Sequence, residues 1–378
     1  MISYKKIVLV VLFFVRCGSS IAVSFENVPW TVSVDGFLNG AFMLSSCDRN
    51  LIGRDVIRCP SSLDSWGDYV VTNGLLPSVI SFEVSKKEQQ MTVGGIFTVR
   101  LPVFNGLVDQ GDLTVSRSIT QNLIFWDSPS SGRFEIGRNY PALGREVFSY
   151  NGLLSPVERN FESSSGYRTY LPRSYAVISY RTPVLSNFCA GVSIGDGTEL
   201  QKLTGNSAQE SYLPNMSVHF SYNVDWAHFW FNYFLQSLFN RYNKSSFMVS
   251  AGEIGGILGP SRLSGDGVSL IMSYQMGRAM GLLSDFLWPV GYDMKSLPRV
   301  SYFVEGIRYV HGRTHFLATY SRTSLFHRTQ VSDGWIFSVS QKINSALHLF
   351  GQLGFVSWPG LVREQRLCFA GVGFMFSF

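Results

Sequence analysis

Apolar and polar residues alternate with a period of two along most of this chain, in stretches of about 9 to 13 residues bounded by Gly, Pro, Asn and Asp. In the first stretch Val32, Val34, Leu38, Phe42 and Leu44 share one parity, while Ser33, Asp35 and Asn39 share the other. Between Met91 and Leu101, Met91, Val93, Phe97, Val99 and Leu101 oppose Thr92, Gly94, Thr98 and Arg100. At the end of the chain Val372, Phe374, Phe376 and Phe378 lie on one face, with Gly371, Gly373 and Ser377 on the other. Successive side chains of a β-strand point to opposite faces, so this pattern predicts strands with one apolar and one polar side. No stretch after residue 22 approaches the roughly 18 consecutive apolar residues of a membrane-spanning helix.

Such strands fit a soluble sandwich or a membrane barrel, and three features favour the barrel. The segments are as long as a tilted strand needs to cross a bilayer, whereas soluble strands average about 5–6 residues. Trp30, Trp126, Trp226, Trp288 and Trp358 fall near predicted strand ends, where interfacial girdles place aromatic residues. The terminal strand alternates to the last residue, which suits a sheet that closes on itself.

Seventeen segments fit the pattern, from 31–44 to 366–378, and single-chain bacterial barrels have even strand numbers. Short and long connections counted from the two ends disagree by one strand between residues 225 and 265. Segment 246–253 is the weakest, because Gly252, Gly255, Gly256, Gly259 and Pro260 crowd it. Taking 237–265 as one long loop leaves sixteen strands, with a tight turn at Gly277-Arg278 and a further strand at 279–288. The third loop, 139–173, then has 35 residues. Loops of that length inside compact folds are usually functional or disordered.

The first 22 residues carry a basic pair, Lys5 and Lys6, a nine-residue apolar run from Ile7 to Val15, and Ser20-Ile21-Ala22 as a cleavage site. That is a secretory signal peptide, leaving 23–378 as a single domain. Cys17 raises a lipoprotein alternative, against which Arg16 is a poor preceding residue. Cleavage removes three of the 31 basic residues, so 28 face 26 acidic ones and the charge falls to +2. This gives no case for nucleic-acid binding. In an oxidising compartment Cys47 and Cys59, in a polar stretch 12 residues apart, could form a local disulfide, while Cys189 and Cys368 read as packed free thiols.

With signal peptide, strand pattern and Phe378 in view, the sequence resembles a Gram-negative general porin. The likeness is carried by Val34-Asp35-Gly36-Phe37-Leu38-Asn39-Gly40, by Gly132-Arg133-Phe134-Glu135-Ile136-Gly137-Arg138 and by the terminal phenylalanine. The second segment is similar to the porin strand that leads into the pore-constricting third loop. One departure is that the loop here opens Asn139-Tyr140-Pro141-Ala142-Leu143-Gly144, unlike the Pro-Glu-Phe-Gly-Gly run of many enterobacterial porins.

The resemblance implies an all-β barrel of about 16 strands in the bacterial outer membrane, with the long third loop folded into the lumen. It further implies a homotrimer among outer-membrane lipid and lipopolysaccharide, passing small hydrophilic solutes by diffusion. Phe374, Phe376 and Phe378 would be the assembly signal met by the barrel-assembly machinery. A barrel of 16–18 strands does leave an open aqueous channel.

No convergent catalytic or metal-binding constellation is visible, so neither an enzyme nor a cofactor is expected. His311 and His315 are the closest histidines, and four residues along a strand would leave them about 13 Å apart. The charges around the third loop are better candidates. Glu146, Glu158 and Glu162 lie on the loop, Arg138 stands at its start, and strand parity points Arg100 and Arg181 into the lumen. Acid on the loop facing base on the wall would form a pore constriction that sets charge preference. A substrate-specific channel, or an adhesin or surface antigen on the same scaffold, remains the alternative.

Overall fold

Strands that are apolar outside and polar inside satisfy all their backbone groups in a membrane only when the sheet has no edge. The computed structural model of the chain has that form. It describes residues 21–24, 30–47, 68–72, 78–101, 119–140, 142–143, 175–196, 209–210, 213–240, 245–259, 266–278, 299–325, 331–359 and 364–378.

Sixteen long strands make one antiparallel sheet. The first eight are β1 (Trp30–Cys47), β2 (Ser78–Glu88), β3 (Met91–Leu101), β4 (Ile119–Ser128), β5 (Gly132–Asn139), β6 (Tyr175–Arg181), β7 (Phe188–Gly195) and β8 (Asn215–Val224). The second eight are β9 (Ala227–Asn240), β10 (Ser245–Leu258), β11 (Gly267–Arg278), β12 (Arg299–His311), β13 (Thr314–Leu325), β14 (Val331–Lys342), β15 (Leu347–Pro359) and β16 (Glu364–Ser377). Each strand pairs with its sequence neighbours, and β16 pairs with β1 from Leu367↔Cys47 to Ser377↔Phe37, which closes the barrel. At the seam the Gly36 N–H donates to the Phe378 carbonyl, and the Phe378 N–H to the Gly36 carbonyl, both at 3.0 Å. The short strand Ile21–Ser24 pairs with Thr31–Val34, and so spans the expected cleavage point.

The alternation sorts the two faces. Ile124, Ile178, Val192, Met272, Val372 and Phe374 stand exposed on the outside, while their sequence neighbours point inward. Trp30, Trp126 and Trp226 are all exposed at the rim that carries the short turns. Trp288 lies outside the described residues.

Two expectations are corrected. Segment 246–253 is not part of a long loop. It is the middle of β10, paired along its length with β9 and then with β11. Its glycines make room for rings on the neighbouring strand: a Cβ at Gly255 would stand 2.2 Å from the Trp230 ring, and one at Gly256 would stand 2.8 Å from that of Phe229. The residues taken as strand breakers are cross-strand sockets. Likewise Gly277-Arg278 is no turn. It ends β11, with Gly277 opposite Val300 and Arg278 opposite Arg299, and 279–288 lies outside the described residues. The two errors offset, so the total of sixteen stands.

Candidate functional site: the inner wall

The polar inward residues of the first half of the barrel are joined across strands. The Ser81 and Thr98 hydroxyls lie 2.9 Å apart, and the Thr98 hydroxyl donates to Gln121 Oε1 at 3.0 Å. Gln121 Nε2 donates to Asn139 Oδ1 at 2.9 Å, and Asn139 Nδ2 to Glu135 Oε2 at 2.7 Å. Glu135 also accepts Arg133 Nε at 2.6 Å and the Ser179 hydroxyl at 3.3 Å. Arg133 stacks over Phe125 with its guanidinium carbon 4.3 Å from the ring centre, and reaches Asp127 at 3.5 Å. Pairing between charged groups here fixes long side chains against the wall rather than leaving them to wave in the channel.

The second half differs. Inward residues of β9 to β13 include Trp230, Phe234, Ile257, Ile271, Tyr302 and Leu317, all buried. Two apolar clusters form there. One holds Trp230, Ile257, Ile271 and Leu317. The other joins Phe234, Ala251, Val300, Tyr302 and Val304 to Val177 of β6 and to Leu143, which lies on the third loop. Set between them, Glu253 is 1% exposed and accepts Trp230 Nε1 at 3.0 Å, Asn232 Nδ2 at 2.8 Å and the Ser273 hydroxyl at 3.3 Å. Asn232 Oδ1 lies 2.6 Å from His219 Nδ1, the geometry of an imidazole N–H donating to an amide oxygen. Buried Arg308 donates from Nη2 to the Ser269 hydroxyl at 3.3 Å. The wall is therefore polar and hydrogen-bonded on one arc, while on the other apolar clusters alternate with buried polar side chains such as Gln236, Ser269, Gln275 and Thr319.

The expected constriction residues fall at different levels. Arg181 ends β6 beside the short turns and pairs with Arg133, at the opposite end of the strand from the third loop. Arg100 pairs with Val79 near the rim of the long loops. Arg138 pairs with Asn122 and Ala176, on the face of Ile136 and Phe134, which is the outer one. Glu146, Glu158 and Glu162 lie outside the described residues, as does Cys59, while Cys47 ends β1. Cys189 is buried and Cys368 half-buried. His311 and His315 lie on opposite strands of one hairpin, with His311 opposite Thr314 and His315 opposite Val310.

Sequence reasoning passed over Arg133, Glu135, His219, Glu253 and Arg308. Parity alone places Arg133 and Glu135 opposite Phe134 and Ile136, and so inward. Glu253 was hidden because its segment resembled a loop. Among the described residues no group of three or more His, Cys, Asp or Glu side chains could hold a metal ion.

This is the sixteen-stranded architecture of a porin, and solved structures bear that out. An anion-selective porin from Comamonas acidovorans superposes with a TM-score of 0.66 at 12% identity, over 92% of this chain and 100% of that one. The outer-membrane channel DcaP of Acinetobacter baumannii gives 0.69 at 11% identity, over 95% of this chain and 100% of its own. Salmonella typhi OmpF in complex with daunomycin gives 0.63 at 10%, again over 95% and 100%. No family model and no curated protein matches the sequence. At these identities the likeness establishes the fold.

Proposed function

We propose that the chain is a bacterial outer-membrane channel passing small hydrophilic solutes and ions by diffusion, through a lumen narrowed by its third loop. The observation that carries this is the sorting of the closed sheet. Its outward residues are apolar enough to meet lipid, and the inward residues of β2 to β7 form a polar, partly exposed lining. In a bilayer only water in a channel satisfies such a lining. Leu143 supports the inward course of the loop, since it shares a buried cluster with residues of the far wall. On this reading Glu146, Glu158 and Glu162 of the loop, with Arg100, set charge preference. Arg138 drops out of this group by its face, and Arg181 acts at the other rim. The protein works as a homotrimer in lipopolysaccharide-bearing membrane after delivery to the barrel-assembly machinery, and it catalyses no reaction.

Purified full-length protein in a planar bilayer tests the proposal. Discrete ohmic steps, with a smooth size cutoff when sugars are added, are the expected result. Saturation by one sugar would favour a substrate-specific channel. No conductance from a folded barrel would leave only a surface-antigen role.

A further inference from the structure

One cross-strand row of the inner wall runs Arg133, Arg181, Gly191, His219, Asn232 and Glu253, each residue opposite the next on β5 to β10. All but one of these positions carry a polar side chain. The exception is Gly191, directly between Arg181 and His219. Neighbouring strands lie about 4.8 Å apart, so the missing side chain leaves a notch roughly 10 Å wide between the Arg181 and His219 backbones. The three atoms nearest to a Cβ built at Gly191 are the Tyr180 carbonyl at 3.3 Å, His219 Cβ at 3.8 Å and Arg181 Cα at 3.9 Å, all from the two flanking strands. A cavity opens there, and its lining includes Arg181, Gly191, Ser193, Ser217 and His219 together with the Arg133–Glu135 pair and Tyr140.

Three charged side chains line this cavity, Arg133, Glu135 and Arg181. Glu135 is engaged by Arg133, Asn139 and Ser179, and Arg133 is held by Glu135 and Asp127. Arg181 is exposed and has no ion-pair partner among the described residues, although it stands directly opposite Arg133. Arg133 is held by two carboxylates, so the four charges balance in sum, but both carboxylates are drawn to Arg133. Arg181 is left on the edge of a notch that also carries the Ser193 and Ser217 hydroxyls, which lie 2.5 Å apart.

We propose that this notch is a binding subsite for a small oxyanion, a carboxylate or phosphate group on a passing solute. Arg181 supplies the charge, the serine pair supplies hydroxyl donors, and Gly191 supplies the space. The proposal rests on the channel reading and adds to it a saturable station on the wall between Arg181, at the rim of short turns, and Tyr140 and Ala142 at the start of the third loop. The planar guanidinium suits the flat face of a carboxylate or two phosphate oxygens.

The test is the chloride current of the full-length protein in a planar bilayer while inorganic phosphate is added. A saturating fall in current is expected from the wild type. Arg181→Gln should raise the half-blocking phosphate concentration about tenfold, the loss expected of one charge-assisted hydrogen bond. Gly191→Ala keeps the charge and narrows the notch, so it should raise that concentration by a smaller factor. Acetate should compete with phosphate in the wild type and not in Arg181→Gln. A channel that conducts chloride with no saturable phosphate effect, or with equal block in Arg181→Gln, overturns the subsite and leaves the channel standing. No chloride conductance from the folded wild type overturns both.

Discussion

At the scale of single residues, glycine decides more than any charged group. Gly255 and Gly252 lie on the same strand, β10, yet a side chain at each would meet quite different surroundings. At Gly255 a Cβ would sit 2.2 Å from Trp230 Cζ2 and 2.8 Å from its Nε1, which itself donates to buried Glu253. At Gly252 the nearest atom, Tyr233 Cδ2, is 3.6 Å away, an ordinary contact. Gly255→Leu should therefore displace the indole, break its bond to Glu253 and destabilise the barrel by about 1–3 kcal/mol, as overpacking does. Gly252→Ala should be nearly neutral. Urea midpoints of the two variants in detergent measure the difference, and equal midpoints would show that the Trp230 socket is not tightly packed.

The element that matters most is the seam. Phe378 is joined to Gly36 by two reciprocal backbone hydrogen bonds, and its ring lies 6.3 Å from that of Phe376. A Cβ at Gly36 would stand 2.2 Å from the Val79 carbonyl, so only glycine lets β1, β2 and the last residue meet there. Deleting Phe378 removes both bonds, worth about 0.5–1.5 kcal/mol each, and also the terminal ring. Less folded protein in the outer membrane is the expected result, read from heat-modifiable mobility on gels. Phe378→Ala separates the causes, since it keeps the backbone pair and loses the ring. Low folded yield in both variants points to recognition of the aromatic ring during assembly. Low yield in the deletion alone points to closure of the seam, and wild-type yields in both would remove Phe378 from either role.

For the whole molecule, the connections are unequal. Between β1 and β8 the long-loop rim carries stretches such as 48–77 and 140–174, whereas β9–β10, β13–β14 and β15–β16 are joined by only four or five residues. The third loop starts beside the polar arc, and its Leu143 already packs into the apolar cluster. Removing residues 146–162 should widen the channel, raise single-channel conductance and admit larger solutes. Replacing Arg100 with Glu, near the loop rim, should shift selectivity toward cations. If the shortened protein folds and conducts as before, the loop lies outside the lumen. In that event the buried state of Tyr302 and Val304 has another cause.

The sequence by itself determined the class of fold, the two faces and most of the strands, and reached the total of sixteen through two offsetting errors. Alternation is a local property of extended backbone, and it shows in residues such as Val372, Phe374 and Phe376 without knowledge of any neighbour. It could not show which glycine-rich segment is a strand, because Gly255 makes sense only beside Trp230 of the next strand. Nor could it set His219, Asn232 and Glu253 in one row. Those relations depend on how far each strand is shifted against the next. The shift is fixed by closing the whole barrel, from Ser377 opposite Phe37 round to Asn215 opposite Gly195, and no short stretch of sequence contains it.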